Sequence, residues 1–230
     1  MLTGAGISVP SGIPDFRTPG TGLWENVNPM EVAHIDAFRR DPDRFWSFYS
    51  QRFMALRHKQ PNPAHDAVVE FERRGLIRGV ITQNIDRLHR AAGSVNVIEV
   101  HGSISHSVCL ECGGRYTLER VVEMLEAEPE SAPECDACIA PLKPDVVLFG
   151  EFLPEDAMRM AHDLAAAADL MVVIGSSLEV HPVASLPAIT LDGGGRLALV
   201  TQGPTPYDGE ATVKLDGDVV HELAGVLAAL

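Results

Sequence analysis

Short runs rich in Val, Ile and Leu alternate with longer helical stretches along most of the chain. Runs of this composition suit strands that are buried on both faces, and their alternation with helices predicts an α/β fold with a parallel sheet. The predicted strands are residues 79–83, 96–100, 146–149, 170–175 and 196–201. The predicted helices are residues 42–58, 64–74, 154–168 and 219–230. A sheet of about six or seven strands, covered by helices on both faces, is therefore expected.

Two segments interrupt this alternation. Residues 18–63 carry both tryptophans and predict a helical insertion, whereas residues 104–143 contain all four cysteines around an acidic helix expected at 116–128. The remaining residues, 1–17, 64–103 and 144–230, would form a large domain, and the two insertions together would form a small one. A chain of 230 residues with 46% hydrophobic composition can bury one substantial core and a small satellite.

The charge balance excludes several classes of partner. A net charge of −14 argues against a nucleic-acid-binding surface, which is usually basic, and is compatible with lysine-rich peptides. No run of about 18 apolar residues exists, so no membrane span is expected. The first residues lack a basic region followed by an apolar run, and a cytoplasmic, reducing location is the resulting expectation.

Four cysteines form two Cys-x2-Cys pairs, Cys109 with Cys112 and Cys135 with Cys138. Such pairs favour tetrahedral zinc, because each hairpin presents two thiolates to one ion. Two disulfides or free thiols are the alternative. No position of the cluster is left for a substrate, so one structural Zn²⁺ is predicted. The many acidic residues around the pairs argue against a zinc ribbon that binds nucleic acid.

A glycine-rich segment opens the chain, with Gly4, Ala5 and Gly6 followed by Ser8. Glycines let a backbone pass close to a pyrophosphate, which amide groups at a helix N-terminus can then bind. The pattern departs from the dinucleotide fingerprint, which has a third glycine and a distant acidic residue, so an ordinary dehydrogenase is not indicated. A plain turn is the alternative for the glycine pair.

Polar residues follow two predicted strands. Asn84 and Asp86 come after residues 79–83, and His101 comes after residues 96–100. Ligand sites gather at the carboxyl ends of parallel strands, so these side chains would converge on one crevice. Taken alone, Asp86 could cap a helix and His101 could be structural. Together they form a candidate site that contains an imidazole, which titrates near neutral pH.

Five separated motifs resemble those of the sirtuin family and occur in sirtuin order. The string G-A-G-I-S-x-x-S-G-I-P-D-F-R spans residues 4–17, and Q-N-I-D, H-G-S, the paired cysteines and G-S-S follow it. The resemblance covers nearly the whole chain and implies a Rossmann-like NAD-binding domain with a small domain of zinc ribbon and helices. Three residues precede the first motif, so the first strand is expected to be short.

The resemblance also implies which residues bind the co-substrate NAD. Asp86 would bind the nicotinamide carboxamide, and Asn84 would order the ribose or a water beside the reacting carbon. Thr201 stands where the family usually has an asparagine, and Asp218 and Val219 would flank the adenine. The expected NAD-binding residues are Gly4, Ala5, Gly6, Ser8, Ile13, Asp15, Phe16, Arg17, Gln83, Asn84, Ile85, Asp86, Gly175, Ser176, Ser177, Thr201 and Gln202.

The reaction that the resemblance implies is the removal of an acyl group from a protein lysine. The acyl oxygen attacks the ribose carbon as nicotinamide leaves, and His101 then accepts a proton from a ribose hydroxyl. Nicotinamide, free lysine and 2′-O-acyl-ADP-ribose result. His101 and Asn84 are the predicted catalytic residues. An acylated-lysine protein or peptide is the predicted partner, and a monomer is favoured.

Residues 143–151 resemble the sirtuin segment whose backbone pairs with the substrate peptide as an added strand. Val146, Phe149, Gly150 and Glu151 are the expected contacts. This mode of binding tolerates many peptide sequences, because main-chain groups make the hydrogen bonds. A buried strand followed by a turn is the alternative.

Tyr49 and Arg52 are three residues apart on a predicted helix and would share one face. A phenol and a guanidinium there could bind the carboxylate of a succinyl or malonyl group. Together with Ala33, their spacing resembles that of the desuccinylase branch of sirtuins, in which the alanine keeps the acyl pocket roomy. A core tyrosine beside a solvent-facing arginine is the alternative.

Three other functions are compatible with parts of the pattern. A mono-ADP-ribosyltransferase would use NAD without an acylated lysine, and a non-catalytic NAD-sensing module would not require His101. A zinc-ribbon nucleic-acid binder conflicts with the net charge of −14. An NAD-dependent protein deacylase accounts for all the motifs at once.

Overall fold

A computed structural model describes residues 1–15 and 28–230, so two of the expected NAD contacts, Phe16 and Arg17, lie outside the described residues. The strands are β1 Leu2–Thr3, β2 Val80–Thr82, β3 Val97–Glu99, β4 Gly102–Cys109, β5 Arg115–Thr117, β6 Leu142–Val146, β7 Leu170–Ile174, β8 Arg196–Val200 and β9 Val213–Leu215. The α-helices are α1 Pro29–Val32, α2 Ile35–Arg40, α3 Pro42–Leu56, α4 Pro63–Arg73, α5 Leu88–Ala92, α6 Leu118–Ala127, α7 Glu155–Ala166, α8 Leu186–Asp192 and α9 Val219–Ala229. Short 3-10 helices cover Ala5–Ser11 and Val183–Ser185.

The central sheet has six strands in the order β3-β2-β1-β7-β8-β9, and every pairing in it is parallel. The predicted α/β fold with a parallel sheet is confirmed. The first strand is short, as expected, with only Leu2 and Thr3, yet it pairs with both β2 and β7. It therefore joins the two halves of the sheet.

The strand order reverses direction at β1. From there the chain adds β2 and β3 on one side of the sheet, and later adds β7, β8 and β9 on the other side. In open parallel sheets, a crevice for ligands forms at the carboxyl ends of the strands where this reversal occurs. The ends of β1, β2 and β7 are therefore the expected location of a site.

Alternating side chains build a core on each face of the sheet. Val173 and Leu199 pack with helices α7 and α8, whereas their neighbours Ile174 and Val200 pack with α4 and α9 on the opposite face. This alternation follows the two-residue period of a strand. Helices on both faces explain why consecutive residues of β7 and β8 are apolar.

A second core lies outside the central sheet. Strands β5, β4 and β6 form a small antiparallel sheet, against which helices α2, α3 and α6 pack. Trp46 is 1% exposed there, and its indole N–H donates to the carbonyl of Leu142 over 2.8 Å. Phe38, Phe45 and Phe53 belong to the same core.

None of the helices within the described residues combines the length and the hydrophobicity that a membrane span requires.

The strand predicted at residues 146–149 is wrong. β6 ends at Val146 and pairs antiparallel with β4, so it belongs to the small sheet rather than to the central one. Phe149 instead makes an isolated parallel bridge to His34. The apolar run has strand-forming composition, but Val147 bonds the carbonyl of His101 and Phe149 bonds residues 33–35. No local pattern identifies these partners.

Candidate active site

The carboxyl ends of neighbouring strands bring several predicted site residues together. Gly4 follows β1, Gln83 follows β2, and Gly175 follows β7. His101 lies two residues beyond the end of β3. These strands are adjacent in the order β3-β2-β1-β7, so all four residues stand along one edge of the sheet at the reversal of strand order.

The glycine-rich segment lies directly against the end of β7. The backbone N–H of Gly6 donates to the carbonyl of Gly175 over 2.8 Å. A Cβ atom on Gly6 would lie 2.6 Å from the Cα of Gly175, closer than real Cβ contacts allow. Gly175 itself has φ 61°, a backbone conformation that favours glycine. Glycine at residues 6 and 175 is thus required by the close approach of the two chain segments.

A buried network links the glycine-rich segment to the loop after β2. The Ser8 hydroxyl donates to Asp86 Oδ2 over 2.6 Å, and Asn84 Nδ2 donates to the Gly4 carbonyl and to Ser8 Oγ over 3.0 and 3.2 Å. Asp86 Oδ1 accepts the backbone N–H of Leu88 at the start of α5. Ser8, Asn84 and Asp86 are all buried. The aspartate therefore accepts from the first residue of α5 and from Ser8 at the same time.

His101 has a defined tautomer. Its Nδ1 lies 3.0 Å from the carbonyl of Gln83. A carbonyl only accepts hydrogen bonds, so Nδ1 carries the hydrogen and Nε2 keeps a lone pair. Burial lowers the pKa of His101, and the hydrogen bond to Gln83 partly offsets this effect. The ring is therefore neutral near pH 7 and has one nitrogen suited to accept a proton.

The other expected NAD contacts extend along the same edge of the sheet. Gln83 Nε2 donates to Ser176 Oγ over 2.8 Å, which ties the end of β2 to the end of β7. Thr201 and Gln202 follow β8, one strand further from His101. Asp218 lies at the start of α9, where its carboxylate accepts two backbone N–H groups. The half-buried residues among the expected NAD contacts are Ala5, Gly6, Ile13, Asp15, Gln83, Ile85, Gly175 and Ser177.

Two residues that the sequence patterns did not identify hold the glycine-rich segment in place. Asn62 caps α4 and donates from Nδ2 to the Ile7 carbonyl and to Ser11 Oγ, over 2.9 and 2.8 Å. Lys59 donates to the carbonyl of Gly12 over 2.6 Å. Asn62 before Pro63 is a recognisable helix start, but the partners in residues 7–12 lie too far away in sequence for a local signal.

The segment after β6 is stabilised by a buried ion pair. Lys143 is 5% exposed, and its Nζ lies 2.9 Å from Glu151 Oε2 and donates to the carbonyl of Val146 over 2.7 Å. Glu151 also accepts the backbone N–H of Leu148. The turn between them contains Gly150 with φ 85°. Of the predicted peptide contacts, Glu151 thus shapes the turn, while Phe149 is 41% exposed.

Ala33 lies beside this segment, whereas Tyr49 and Arg52 lie on α3. The carbonyl of Ala33 accepts the N–H of Phe149 over 2.9 Å, and Ala33 is 5% exposed. Arg52 donates from Nη1 to the Phe48 carbonyl, and its Cζ lies 4.0 Å from the centre of the Phe48 ring. Burial raises the pKa of Tyr49, and the nearby Arg52 opposes this effect. The phenol is therefore neutral and the guanidinium is its close neighbour.

The four cysteines form a single cluster. Their Sγ atoms all lie within 4.8 Å of one another, with 3.4 Å between Cys109 and Cys138 and 3.5 Å between Cys112 and Cys135. Tetrahedral zinc with Zn–S bonds of about 2.3 Å requires sulfurs about 3.8 Å apart. The donor set therefore fits one Zn²⁺ and leaves no open position.

Each Cys-x2-Cys pair lies in a tight turn. Gly113 donates its N–H to the Cys109 carbonyl, and Ile139 donates to the Cys135 carbonyl in the same way. Both donors have positive φ, 75° for Gly113 and 62° for Ile139. Hydrogen bonds, the largest from the Tyr116 hydroxyl, lower the pKa of Cys135 to about 6. This favours the thiolate form of Cys135, whereas contacts with the other thiols raise the pKa of Cys112 and of Cys138.

Comparison with known proteins gives consistent matches over nearly the full chain. The sequence profile of the Sir2 family matches residues 4–182. The NAD-dependent protein deacetylase of Thermotoga maritima is 47% identical over 220 residues, which cover 96% of this chain and 88% of the relative. An NAD-dependent protein deacylase of Thermus thermophilus is 45% identical over 231 residues, covering 99% and 88%.

Solved structures of Sir2 proteins are also similar to this chain over nearly its full length. A Sir2 protein with a p53 peptide and NAD+ superposes with a TM-score of 0.91 at 46% identity, covering 99% of this chain and 91% of the other. The structure of Sir2Tm bound to a propionylated peptide gives a TM-score of 0.90 at 44% identity, with the same coverage. Both the central sheet and the small cysteine-containing unit therefore belong to the shared architecture.

Proposed function

The chain belongs to the Sir2 family, and we propose from this membership that it removes acyl groups from protein lysines with NAD as co-substrate. One water would be consumed, and the products would be nicotinamide, free lysine and 2′-O-acyl-ADP-ribose. One observation carries the proposal for the site. His101, with its hydrogen on Nδ1, is hydrogen-bonded to the residue before Asn84, at the reversal of strand order where a nucleotide would bind.

The NAD-binding residues proposed for this chain are the expected contacts that follow the carboxyl ends of β1, β2, β7 and β8. Gly4 and Gly6 leave room for a pyrophosphate, and the half-buried Ser177 lies at the end of β7. Asp86 would accept the nicotinamide amide, because its buried carboxylate is a strong acceptor already held by Ser8 and Leu88. Phe16 and Arg17 are proposed to complete this set on the strength of their motif.

His101 would act as the general base. The Gln83 carbonyl holds the ring in one tautomer, and Nε2 would accept the proton of a ribose hydroxyl so that the oxygen can attack the acyl carbon. The lowered pKa keeps the imidazole unprotonated at neutral pH. Asn84 would position the reacting ribose or a water, since its amide is fixed by Gly4 and Ser8.

The substrate is proposed to be an acylated-lysine segment of a protein that adds a strand beside Val146, Phe149, Gly150 and Glu151. The N–H and the carbonyl of Phe149 are already bonded to residues 33–35. Main-chain pairing with the peptide would therefore use other residues of this segment, and Phe149 would contact the peptide through its side chain. Acetyl-lysine is one proposed substrate. Succinyl- and malonyl-lysine are also proposed, because Arg52 places a guanidinium beside the Tyr49 phenol on α3.

Several general properties are part of the same proposal. One structural Zn²⁺ would bind the four cysteines, and a cytoplasmic location would keep those thiols reduced. Nucleic acid is an unsuitable partner for a chain with a net charge of −14. We favour a monomer, which sedimentation analysis can test, and cell fractionation can test the compartment.

The replacement His101→Ala tests the proposed reaction. It should lower kcat/KM for an acyl-lysine peptide by at least about 10² to 10⁴, the usual contribution of a general base. Mass spectrometry of the peptide, with and without NAD, measures the loss. Circular dichroism should be unchanged, because the His101 ring is tied to the described part of the chain by a single hydrogen bond, to Gln83.

The matched control is His162→Ala, which removes an exposed imidazole from α7 and should leave turnover unchanged. Full activity of His101→Ala would disprove the role of His101. Release of nicotinamide together with ADP-ribose attached to protein, with no loss of acyl groups from any peptide tested, would instead identify a mono-ADP-ribosyltransferase.

A further inference from the structure

Two buried histidines lie beneath the candidate site and have no role in the reaction proposed above. His65 on α4 is 0% exposed and His89 on α5 is 2% exposed. Their ring centres are 5.0 Å apart, and the rings meet edge to face at 64°. Within residues 1–15 and 28–230, three buried side-chain polar atoms lack a hydrogen-bond partner, and two of them are His65 Nε2 and His89 Nδ1.

The hydrogen bonds that these rings do make determine their tautomers. His65 Nδ1 accepts the backbone N–H of Asn62 over 3.4 Å in the capping box of α4, so a neutral ring carries its hydrogen on Nε2. His89 Nε2 lies 2.9 Å from Thr3 Oγ1, and Thr3 in turn donates to Thr82 Oγ1. Thr3 therefore accepts from His89, whose hydrogen lies on Nε2 and whose Nδ1 has a lone pair.

The two unpartnered atoms are thus complementary, a donor on His65 and an acceptor on His89. A buried polar group without a partner destabilises the fold. A hydrogen bond from His65 Nε2 to His89 Nδ1, made directly after a rotation of the rings or through one water, would give both atoms a partner. The same arrangement fails if either ring is protonated, because His89 Nδ1 would then become a second donor or His65 Nδ1 would face the donor N–H of Asn62.

From this pair, hydrogen bonds lead to the candidate site in two directions. Through His89, Thr3 and Thr82, they reach the backbone N–H of Asn84, which donates to Thr82 Oγ1 over 3.1 Å. Through the capping box, they reach Asn62, which holds the Ile7 carbonyl and Ser11 of the glycine-rich segment. The pair therefore joins α4, α5, β1 and β2 at the point where they support the site.

We propose that His65 and His89 are positioning residues, a linked pair of neutral imidazoles that sets the positions of Asn84 and the glycine-rich segment for the departure of nicotinamide. This inference depends on the proposed deacylase function for its kinetic consequences. Its structural part, the two tautomers and their neutrality, is independent of that function.

Neutrality is consistent with the charges around the pair. Asp86 and Asp66 favour protonation of His65, whereas His65 itself and then the Met1 amino group disfavour protonation of His89. Burial outweighs both carboxylates and lowers the pKa of each ring, that of His89 to about 3. A neutral pair adds no positive charge near the proposed binding site of the cationic nicotinamide ring.

The replacements His89→Phe and Thr3→Val each break the connection to Asn84 while keeping a similar side-chain volume. Each should lower kcat at saturating NAD by about 10- to 100-fold, as expected for a misplaced reacting group. The KM of the acyl peptide should stay within about twofold, because these side chains lie beneath the site and outside the proposed peptide-binding segment. His89→Gln, whose amide can both donate to Thr3 and accept from His65, should recover most of the activity.

The double variant His89→Phe with Thr3→Val distinguishes positioning from general destabilisation. If both residues act through one connection, the double variant should lose no more activity than either single variant. Thr190→Val is the matched control, because Thr190 is also 0% exposed and bonds the Ala165 carbonyl far from the site. Additive losses, or a similar kcat loss in Thr190→Val, would overturn the proposal.

Nitrogen-15 NMR of the unmodified chain tests the pair without any activity measurement. Both rings should show the neutral form with hydrogen on Nε2 at about pH 8. His89 should keep that form down to about pH 5, where an exposed histidine is already protonated, and His65 should titrate below the pH at which an exposed histidine does. Titration of either ring near pH 6.5, or hydrogen on Nδ1 of His65, would overturn the inference. An inactive chain with the expected spectra would disprove only the deacylase function.

Discussion

At the scale of a single residue, we expect Arg52 to determine which acyl groups the site accepts. Its guanidinium lies along α3, bonded to the Phe48 carbonyl and stacked on the Phe48 ring, with the Tyr49 phenol nearby. Arginine remains charged in this half-buried position, so a carboxylate that enters the neighbouring space would meet an oriented donor. An uncharged acyl group would gain nothing from the same contact.

We expect Arg52→Met to lower kcat/KM for a succinyl-lysine peptide about 10- to 100-fold more than for the matching acetyl-lysine peptide, which corresponds to the loss of one charged hydrogen bond. Methionine keeps the length and the apolar contact with Phe48 but removes the charge. Rates for the two peptides, measured on the same enzyme preparation, give the ratio directly.

Arg39→Met on α2 is the control for this prediction, since Arg39 is 65% exposed and pairs only loosely with Asp36 over 3.9 Å. It should leave the ratio of the two rates unchanged. Equal losses for both acyl groups in Arg52→Met would contradict carboxylate recognition by Arg52 and would indicate a packing role instead.

The cysteine-containing turns lie at one end of the small sheet, next to its shortest strand. β5 contains three residues, Arg115–Thr117, and two of them are exposed. Cys109 and Cys135 are themselves part of the apolar core that α3 and α6 share. Metal binding at such turns contributes directly to folding, because the unfolded chain has no preformed site.

Zinc removal should therefore unfold the small sheet before the central one. Cys135→Ser should reduce the metal content from about one zinc per chain to nearly none, since a structural site requires all four ligands. Elemental analysis measures the zinc, and limited proteolysis should locate new cleavage within residues 104–143.

Ser105→Ala, on the same strand β4, is a suitable comparison because Ser105 is not a ligand. It should retain zinc and resist proteolysis. A Cys135→Ser chain that keeps one zinc, or one whose central sheet is cleaved first, would contradict the assigned role of the cluster.

For the chain as a unit, the buried imidazoles make stability depend on pH. In the unfolded state His89 has a pKa near 6.5, whereas burial in the fold lowers it to about 3. Between these values the unfolded state binds more protons than the folded one. The contribution of His89 to stability is therefore complete above about pH 6.5 and is lost as the pH falls towards about 3.

Urea unfolding between about pH 7 and pH 5 should show a free energy of unfolding that falls by as much as about 1.4 kcal/mol per pH unit for each such histidine. His89→Gln should show a shallower dependence on pH, because glutamine does not titrate. The difference in slope corresponds to the uptake of at most one proton on unfolding, about 1.4 kcal/mol per pH unit. His162→Ala should keep the slope, since His162 is 60% exposed. An unchanged slope in His89→Gln would mean that His89 is not neutral in the fold.

Much of the fold could be predicted because its signals are local. The runs at 79–83, 170–175 and 196–201 became β2, β7 and β8 with small changes at their ends, and the predicted helix at 42–58 is α3, Pro42–Leu56. The run at 146–149 was misassigned because its partners, residues 101–102 and 33–35, lie far from it along the chain. β9 was missed, since three residues of which one is Lys214 give no periodic signal.

For the site, the motifs indicated which residues belong together but not what supports them. Spacing alone identified the cysteine cluster and the polar residues after β2 and β3, because short spacings and strand ends restrict geometry by themselves. The contacts of Asn62, the ion pair of Lys143 with Glu151, and the His65–His89 pair remained invisible. Each depends on where a distant segment of the backbone passes.

The amino-acid sequence alone was sufficient for the α/β class and the cluster of four cysteines, since these depend on residue type and near-neighbour spacing. The candidate base His101 was indicated by the resemblance of its motif to that of the sirtuins. The order of the strands, the pairing of Phe149 with residues 33–35 and the neutrality of His65 and His89 were decided only by tertiary structure. The physical reason is that burial and hydrogen-bond partners are properties of the assembled core, where segments distant along the chain exclude water from one another.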